Sequence, residues 1–218
     1  MMQIKNAIFD LDGTLIDSMH LWRNYQVDII EELSGIKIEK SEREELVLST
    51  YNEILKKVFD NHGVTVDSSV LSVMCEERMK LKYHSADIEL KPYAKEYLSH
   101  LKKTGCGVAL ATATPKALCV PFLQKKGLYE YFDCIVTSPD DAHIDKHEGP
   151  AVYDMALNNL GGTKDNTAVF EDVLFAIKMC KKHDYYTIAV SDRLQRADIT
   201  EIKSIADRYI QSYEEMMI

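Results

Sequence analysis

Residues 7–15 read AIFDLDGTL, in which three apolar residues pass directly into two aspartates separated by one residue. A short apolar run followed at once by polar residues is typical of a strand buried on both faces of a parallel sheet. Gly13 permits a sharp turn after the second aspartate. The stretch therefore predicts a central strand that carries Asp10 and Asp12 at its carboxyl end.

Four further apolar runs of the same kind follow in the chain, at residues 108–111, 134–136, 168–170 and 187–190. Stretches with helical spacing of apolar residues separate these runs. Strands that alternate with helices imply right-handed crossover connections. The sequence therefore predicts an α/β fold with a Rossmann-like, doubly wound parallel sheet.

The first two predicted strands lie far apart, and residues 18–89 between them contain no clear strand. This segment has helical patterns over residues 21–33, 42–50, 52–61 and 68–83. We interpret residues 18–89 as a helical cap inserted into a core formed by residues 1–17 and 90–218. An insertion at the carboxyl end of a strand can close over the crevice where open α/β sheets bind ligands.

Composition excludes several classes of partner and location. The chain has 218 residues with a formal net charge of −9, which argues against nucleic acid or an anionic membrane as a partner. It contains no run of about 18 apolar residues that would predict a membrane-spanning helix, and the two aspartates precede any signal-peptide core. Its five cysteines lack CxxC or zinc-site spacing, so we expect reduced thiols and a cytoplasmic protein.

The paired aspartates carry the strongest chemical signal. Asp10 and Asp12 repel each other unless a cation neutralises them, and Mg²⁺ is the usual partner of one or two carboxylates. An aspartate beside such a metal can attack phosphorus and form an aspartyl-phosphate, and a second can act as general acid and base. The alternative is a turn and helix-cap cluster, because Asp and Gly are also turn formers.

The stretch DLDGTL at residues 10–15 resembles the first motif of the haloacid dehalogenase-like (HAD) superfamily of phosphohydrolases. Three later motifs of that superfamily have counterparts here in the expected order. Thr112 ends the second predicted strand, Lys146 precedes a predicted helix, and the acidic pair Glu171-Asp172 follows the fourth strand. Together these motifs span nearly the whole predicted core, which makes the resemblance far more specific than one motif.

The resemblance implies roles for the four acidic residues. Asp10 would be the nucleophile and a Mg²⁺ ligand. Asp12 would be the general acid and base, with its backbone carbonyl also binding the metal. Asp172 would be a further metal ligand, and Glu171 would support it.

The resemblance also implies a phosphate-binding group. Thr112, through its hydroxyl, and the backbone N–H of neighbouring Ala113 would hold phosphate oxygens, and Lys146 would neutralise the transferring group. The region around Lys146 departs from the usual motif, because Asp145 precedes the lysine and the stretch to the next helix is longer. Lys116 is therefore a weaker alternative for this cation.

The predicted cap resembles that of the capped subfamily that includes phosphoglycolate phosphatase and β-phosphoglucomutase. The mutases of that subfamily carry a cap histidine at the position of Trp22, and His20 lies two residues away, nearly opposite on a helix. Trp22 and His20 are candidates for the substrate pocket. The alternative for Trp22 is packing within the cap.

These observations predict a Mg²⁺-dependent phosphatase that hydrolyses a small phosphomonoester, a sugar phosphate or similar metabolite, through an aspartyl-phosphate on Asp10. A β-phosphoglucomutase-like sugar-phosphate mutase is the first alternative. A phosphate-binding or phospho-accepting module without turnover is the second. By analogy with capped enzymes of this kind, we expect a monomer.

Overall fold

A computed structural model describes residues 4–47, 49, 51–146, 148–194 and 198–217. In these residues six parallel strands form one sheet in the order β3-β2-β1-β4-β5-β6. The strands are β1 Asn6–Phe9, β2 Gly107–Thr112, β3 Cys134–Thr137, β4 Thr167–Glu171, β5 Tyr186–Val190 and β6 Arg208–Ile210. The predicted α/β fold with a doubly wound parallel sheet is confirmed.

The direction in which the chain builds the sheet reverses at β1. Ile8 pairs with Ala109 of β2 on one side and with Val169 of β4 on the other. The chain continues through β2 and β3 on the first side before it returns to build β4, β5 and β6 on the second. Ligands of open α/β sheets bind at the carboxyl ends of the strands beside such a switch point. Asp10 and Asp172 follow the two strands that meet there.

Apolar side chains of β1 alternate between the two faces of the sheet, as the two-residue period of a strand requires. Phe9 stacks on Phe170 of β4 with ring centroids 4.4 Å apart, within the larger core. Ile8 points to the opposite core, which includes Val169 and Tyr153. In the described part of the core, the helices that cover the faces are α5 Ala94–Lys103, α6 Lys116–Lys126, α7 Ala151–Asn159, α8 Leu174–Lys182 and α9 Ile199–Ile205.

Among the described residues, four helices lie between β1 and β2 in the segment that we interpret as the cap. They are α1 Met19–Ser34, α2 Lys40–Val47, α3 Tyr51–His62 and α4 Ser68–Ser85. They share an apolar core of their own, which includes Val27, Ile30, Leu46, Ile54 and Leu71. The chain enters this segment near Asp17 and leaves it near Glu89, and these two chain crossings are hydrogen-bonded to each other. Asp17 N donates to Glu89 O and Lys91 N donates to Leu15 O, both at 2.9 Å. The division into core and cap at these crossings remains our interpretation.

The apolar residues near the end of the chain, from Ile210 onward, would fit a short final helix, but the structure differs. Ile210 instead ends β6, which pairs with β5, and a single 3₁₀ turn follows over Tyr213–Met216. A three-residue strand is too short to show a two-residue period in sequence. The predicted helix over residues 42–50 begins earlier, at Lys40, and its described part ends at Val47; residues 48 and 50 lie outside the described residues. Within the described chain, every helix is too short or too polar to cross a bilayer.

Candidate active site

Three buried carboxylates meet at the switch point of the sheet. Asp10, Glu171 and Asp172 each place a carboxylate oxygen within 4.8 Å of the others. Asp10 follows β1, and the other two come from the end of β4, the neighbouring strand. Parallel pairing of the two strands therefore brings together residues that are far apart in the chain.

One buried ammonium group lies against these carboxylates. Lys146 Nζ donates to Asp10 Oδ1 at 2.5 Å and to Glu171 Oε1 at 2.8 Å, and its side chain is 5% exposed. Burial by itself would lower the pKa of Lys146, but the two carboxylates raise it above its usual value. Lys116 Nζ instead pairs with Asp141, and its side chain is 41% exposed. The structure therefore brings Lys146, and not Lys116, to Asp10.

Negative charge exceeds positive charge in this cluster. Burial raises the pKa of Asp10 from 3.8 to about 7; Lys146 acts in the opposite direction and Glu171 adds to the increase. Burial, together with the carboxylates of Glu171 and Asp10, raises the pKa of Asp172 well above its usual range. Three carboxylates around one lysine leave a deficit of positive charge. Hard oxygen donors in this arrangement fit Mg²⁺.

The turn after Asp12 brings the backbone close to Asp172. Gly13 has a φ of +82°, and a Cβ atom built on it would lie 2.1 Å from Asp172 Oδ2, so only glycine fits this position. The next residue, Thr14, donates from its hydroxyl to Asp172 Oδ1 at 3.1 Å. The turn therefore both makes room for the Asp172 carboxylate and orients it.

The carboxylate of Asp12 lies outside this group of three and accepts four hydrogen bonds. Its Oδ1 accepts from Ser18 Oγ at 2.5 Å, from Trp22 Nε1 at 3.1 Å and from Tyr83 OH at 2.5 Å. Its Oδ2 accepts from Thr114 Oγ1 at 2.5 Å. Trp22 lies on α1 and Tyr83 on α4, so the first and last of the four inserted helices both contact Asp12.

The two candidates for the substrate pocket lie in different surroundings. Trp22 reaches Asp12, whereas the Nδ1 atom of His20 lies 3.6 Å from Asp17 Oδ1 at the first chain crossing. Residues two apart on a helix point in nearly opposite directions, which accounts for this separation. A substrate-binding role for either residue stays a prediction.

The predicted phosphate-binding residues lie at the carboxyl end of β2, next to β1. Thr112 is buried, and its Oγ1 accepts a hydrogen bond from the backbone N–H of Thr114 at 3.1 Å. Ala113 between them is exposed. The hydroxyl of Thr112 is thus oriented by its own loop, and a role for Thr112 and Ala113 in binding phosphate stays a prediction.

Tyr153 is a further residue of the site, and no motif in the sequence indicates it. This buried tyrosine lies in the first turn of α7 and donates from its hydroxyl to Glu171 Oε1 at 2.5 Å. Lys146 Nζ lies 5.2 Å from the centre of its ring. Its position at the start of the helix after the lysine loop is the only signal in the sequence, and an apolar helix face explains that position equally well.

Residues 7–190 match the family model described as haloacid dehalogenase-like hydrolase. The chain belongs to this family. The resemblance drawn from the four motifs is confirmed, and the protein is an enzyme, a hydrolase.

Individual members of the family resemble the chain over most of its length. Pyrophosphatase PpaX of Oceanobacillus iheyensis is 24% identical over 217 residues, which cover 96% of this chain and 92% of the relative. The phosphorylated carbohydrates phosphatase of Thermotoga maritima is 25% identical over 187 residues, which cover 80% and 79%. The crystal structure of CbbY from Rhodobacter sphaeroides in complex with phosphate has a TM-score of 0.76 at 22% identity and covers 98% of this chain and 96% of its own. This structural likeness shows that the two proteins share a fold.

Proposed function

We propose that the protein is a Mg²⁺-dependent phosphatase that hydrolyses a small phosphomonoester through a covalent phosphoryl intermediate on Asp10. The observation that carries the proposal is the contact of the buried Asp10 carboxylate with Lys146, beside the carboxylate of Asp172. The names of the relatives support it, since one is called a pyrophosphatase and another a phosphatase of phosphorylated carbohydrates.

The carboxylates of Asp10 and Asp172 and the backbone carbonyl of Asp12 would hold Mg²⁺. The bound ion would neutralise negative charge on the phosphoryl group. Glu171 is the less suitable ligand, because Oε1 already accepts from Lys146 and Tyr153, and Oε2 accepts from the backbone N–H of Asp172 at 3.3 Å. Glu171 thus supports the site by holding Lys146 in place.

The reaction proceeds in two displacements at phosphorus. A carboxylate oxygen of Asp10 forms a bond to phosphorus while the ester P–O bond breaks, and Asp12 gives its proton to the departing oxygen. Asp12 then takes a proton from a water molecule whose oxygen attacks the phosphoryl group, which releases inorganic phosphate and restores Asp10. Lys146 offsets the charge of the transferring group in both steps.

The hydrogen bonds of Asp12 favour one of its two oxygens as the proton carrier. Oδ1 accepts from three donors, Ser18, Trp22 and Tyr83, which fill its capacity. Among the described residues, Oδ2 accepts from Thr114 alone. We therefore assign the transferred proton to Oδ2, with the other oxygen fixed by residues of the cap segment.

Phosphate release from a panel of substrates tests the proposal. The panel contains p-nitrophenyl phosphate, sugar phosphates and pyrophosphate, each assayed with Mg²⁺ and with a chelator. We expect release with Mg²⁺ to exceed release with chelator by about 100-fold or more, because a bound metal contributes several kcal/mol of charge stabilisation. Release that is indifferent to the chelator would disprove the metal dependence. Rearranged sugar phosphate in place of free phosphate would identify a mutase instead.

Replacing Tyr153 by Phe should slow the reaction by about tenfold, because supporting hydrogen bonds around a metal site typically have effects of this size. The change removes the hydroxyl donor of Glu171 without removing the ring. The free energy of unfolding should fall by about 1–2 kcal/mol. Initial rates of phosphate release and urea denaturation measure the two effects.

Tyr185→Phe is the matched control. Tyr185 is also buried, and its hydroxyl also donates at 2.5 Å to a carboxylate, that of Asp154 outside the cluster. Loss of the Tyr185 hydroxyl should lower the free energy of unfolding to a similar degree, while the rate of phosphate release stays at the wild-type value. Equal rate losses in the two variants would show that Tyr153 acts on stability alone.

A further inference from the structure

The loop after β5 forms a buried ion pair with the second chain crossing. Lys91 donates from Nζ to Asp192 Oδ2 at 2.6 Å and to the backbone carbonyl of Ser191 at 3.0 Å. The side chain of Asp192 is 1% exposed, and its Oδ1 accepts from the backbone N–H of Leu194 at 2.9 Å. Because separating the pair would leave a buried charge without a partner, the contact strongly favours one position of Lys91.

The next residue of the same loop contacts the first chain crossing. Arg193 donates from Nη2 to Asp17 Oδ2. The side chain of Arg193 is more than half exposed, so this pair contributes less than the buried one. The loop thus supplies an anion to one crossing and a cation to the other. We call residues 191–194 the β5 loop, and its two neighbouring charged residues hold both crossings of the inserted segment.

Short hydrogen bonds connect both crossings to the turn that carries Asp12. The backbone N–H of Lys91 donates to Leu15 O at 2.9 Å, and the N–H of Leu15 donates to Leu11 O at 2.9 Å. Ser18, at the end of the first crossing, donates from its hydroxyl to Asp12 Oδ1 at 2.5 Å. A displacement of either crossing would therefore move Asp12 or a donor that holds it.

We propose that Asp192 and Arg193 are positioning residues that hold the carboxylate of Asp12 in place for proton transfer. They act through the two chain crossings, which lead into the helices that carry Trp22 and Tyr83. The inference rests on the proposed function, in which Asp12 transfers the proton. Proton transfer requires donor and acceptor within hydrogen-bond distance, and a displacement of about 1 Å can cost about 100-fold in rate.

The leaving group of the substrate separates this role from a general effect on folding. An alkyl phosphate releases a strongly basic alkoxide, which needs a proton from Asp12, whereas p-nitrophenolate leaves without one. We expect the ratio of kcat/KM for the best alkyl phosphate of the panel to that for p-nitrophenyl phosphate to fall about 10-fold or more in Asp192→Asn. Arg193→Gln should lower the ratio less, because its ion pair is exposed, and this variant serves if Asp192→Asn does not fold.

Asp207→Asn is the matched control. Asp207 also accepts from a lysine, Lys181, at 2.7 Å and from a backbone N–H, that of Thr187, at 2.7 Å. These contacts lie at the amino end of β5, the opposite edge of the sheet from Asp12. The substrate ratio of Asp207→Asn should equal that of the wild type, and a fall as large as in Asp192→Asn would overturn the inference. An unchanged ratio in Asp192→Asn or Arg193→Gln, with both substrates still hydrolysed, would disprove the role of that residue and leave the phosphatase proposal intact.

Tryptophan fluorescence tests the same inference without turnover. Trp22 is the only tryptophan in the sequence, and its Nε1 donates to Asp12 Oδ1 at 3.1 Å. With chelator and no substrate, acrylamide should quench this fluorescence more strongly in Asp192→Asn than in the wild type or Asp207→Asn, because loosely held crossings open the contact more often. Equal quenching in the three proteins would overturn the inference. Because this assay needs no catalysis, it distinguishes a failure of the proposed phosphatase reaction from a failure of the positioning role.

Discussion

Asp10→Asn should reduce phosphate release by about 10⁴-fold or more, the size of effect seen when a catalytic nucleophile is removed. An amide oxygen is a poor nucleophile toward phosphorus at neutral pH, and it forms no stable phosphoryl intermediate. The side chain keeps its shape, so the oxygen that accepts from Lys146 stays in place. Single-turnover and steady-state assays of phosphate release measure the loss.

The same substitution should stabilise the metal-free protein. Burial raises the pKa of Asp10 from 3.8 to about 7, so the folded protein binds this proton more tightly than the unfolded chain. The charged carboxylate therefore lowers the free energy of unfolding by its full amount above pH about 7. This loss of stability becomes smaller as the pH falls from about 7 toward 3.8. With chelator present, the Tm of Asp10→Asn should exceed that of the wild type at pH 8, and the difference should shrink at pH 5.

A fully active and intact Asn protein would disprove covalent catalysis by Asp10. Mass spectrometry is the necessary control, because deamidation of the asparagine would regenerate the aspartate. A Tm below that of the wild type at pH 8 would instead show that the contact with Lys146 outweighs the cost of burying the carboxylate. These two readouts separate the chemical role of Asp10 from its electrostatic cost.

Lys146→Met should lower both activity and stability. Its ammonium lies between Asp10 and Glu171, and removing one partner of a buried ion pair typically costs about 3–5 kcal/mol. The rate should fall by about 10³-fold or more, because a cation at the transferring phosphoryl group contributes effects of this size. Urea denaturation measures the first effect, and phosphate release well below the Tm measures the second.

Lys116→Met is the matched control, and it also decides between the two lysines that the sequence offers for the phosphate-binding role. Lys116 pairs with Asp141 at a partly exposed position outside the carboxylate cluster, so its loss should change stability by about 1 kcal/mol or less. Its rate of phosphate release should stay near the wild-type value. A large loss of activity in Lys116→Met together with an active Lys146→Met would transfer the role to Lys116.

Local sequence was sufficient to predict the sheet and its acidic edge. The run AIFDLDGTL at residues 7–15 combines a strand pattern with a turn that only glycine fits, and both features are properties of neighbouring residues. The later motifs follow apolar runs in the same way, so Thr112 and Asp172 could be placed at strand ends before any contact was known. The strand β6 was missed because three residues are too few to show the two-residue period of a strand.

Contacts between distant parts of the chain could not be predicted in this way. Tyr83 reaches Asp12 across 71 residues, and Lys146 reaches Asp10 across 136. Tyr83 stands in no local pattern that distinguishes it, since a tyrosine on a helix usually packs in a core. Lys146 was identified through the resemblance to the family motif, but its two carboxylate partners were not. Tyr153, on the first turn of a helix, was missed for the same reason as Tyr83.

The sequence by itself determined the fold class, the family and the acidic residues at the strand ends, because these depend on periodicity and on motifs within short stretches. The tertiary structure alone decided which lysine contacts Asp10, which cap residues hold Asp12 and that Tyr153 contacts Glu171. Those properties arise from parallel strand pairing and from the return of the inserted helices onto the sheet. The burial and the charged neighbours of a side chain at this edge of the sheet depend on every element packed there. No single stretch of sequence contains that information.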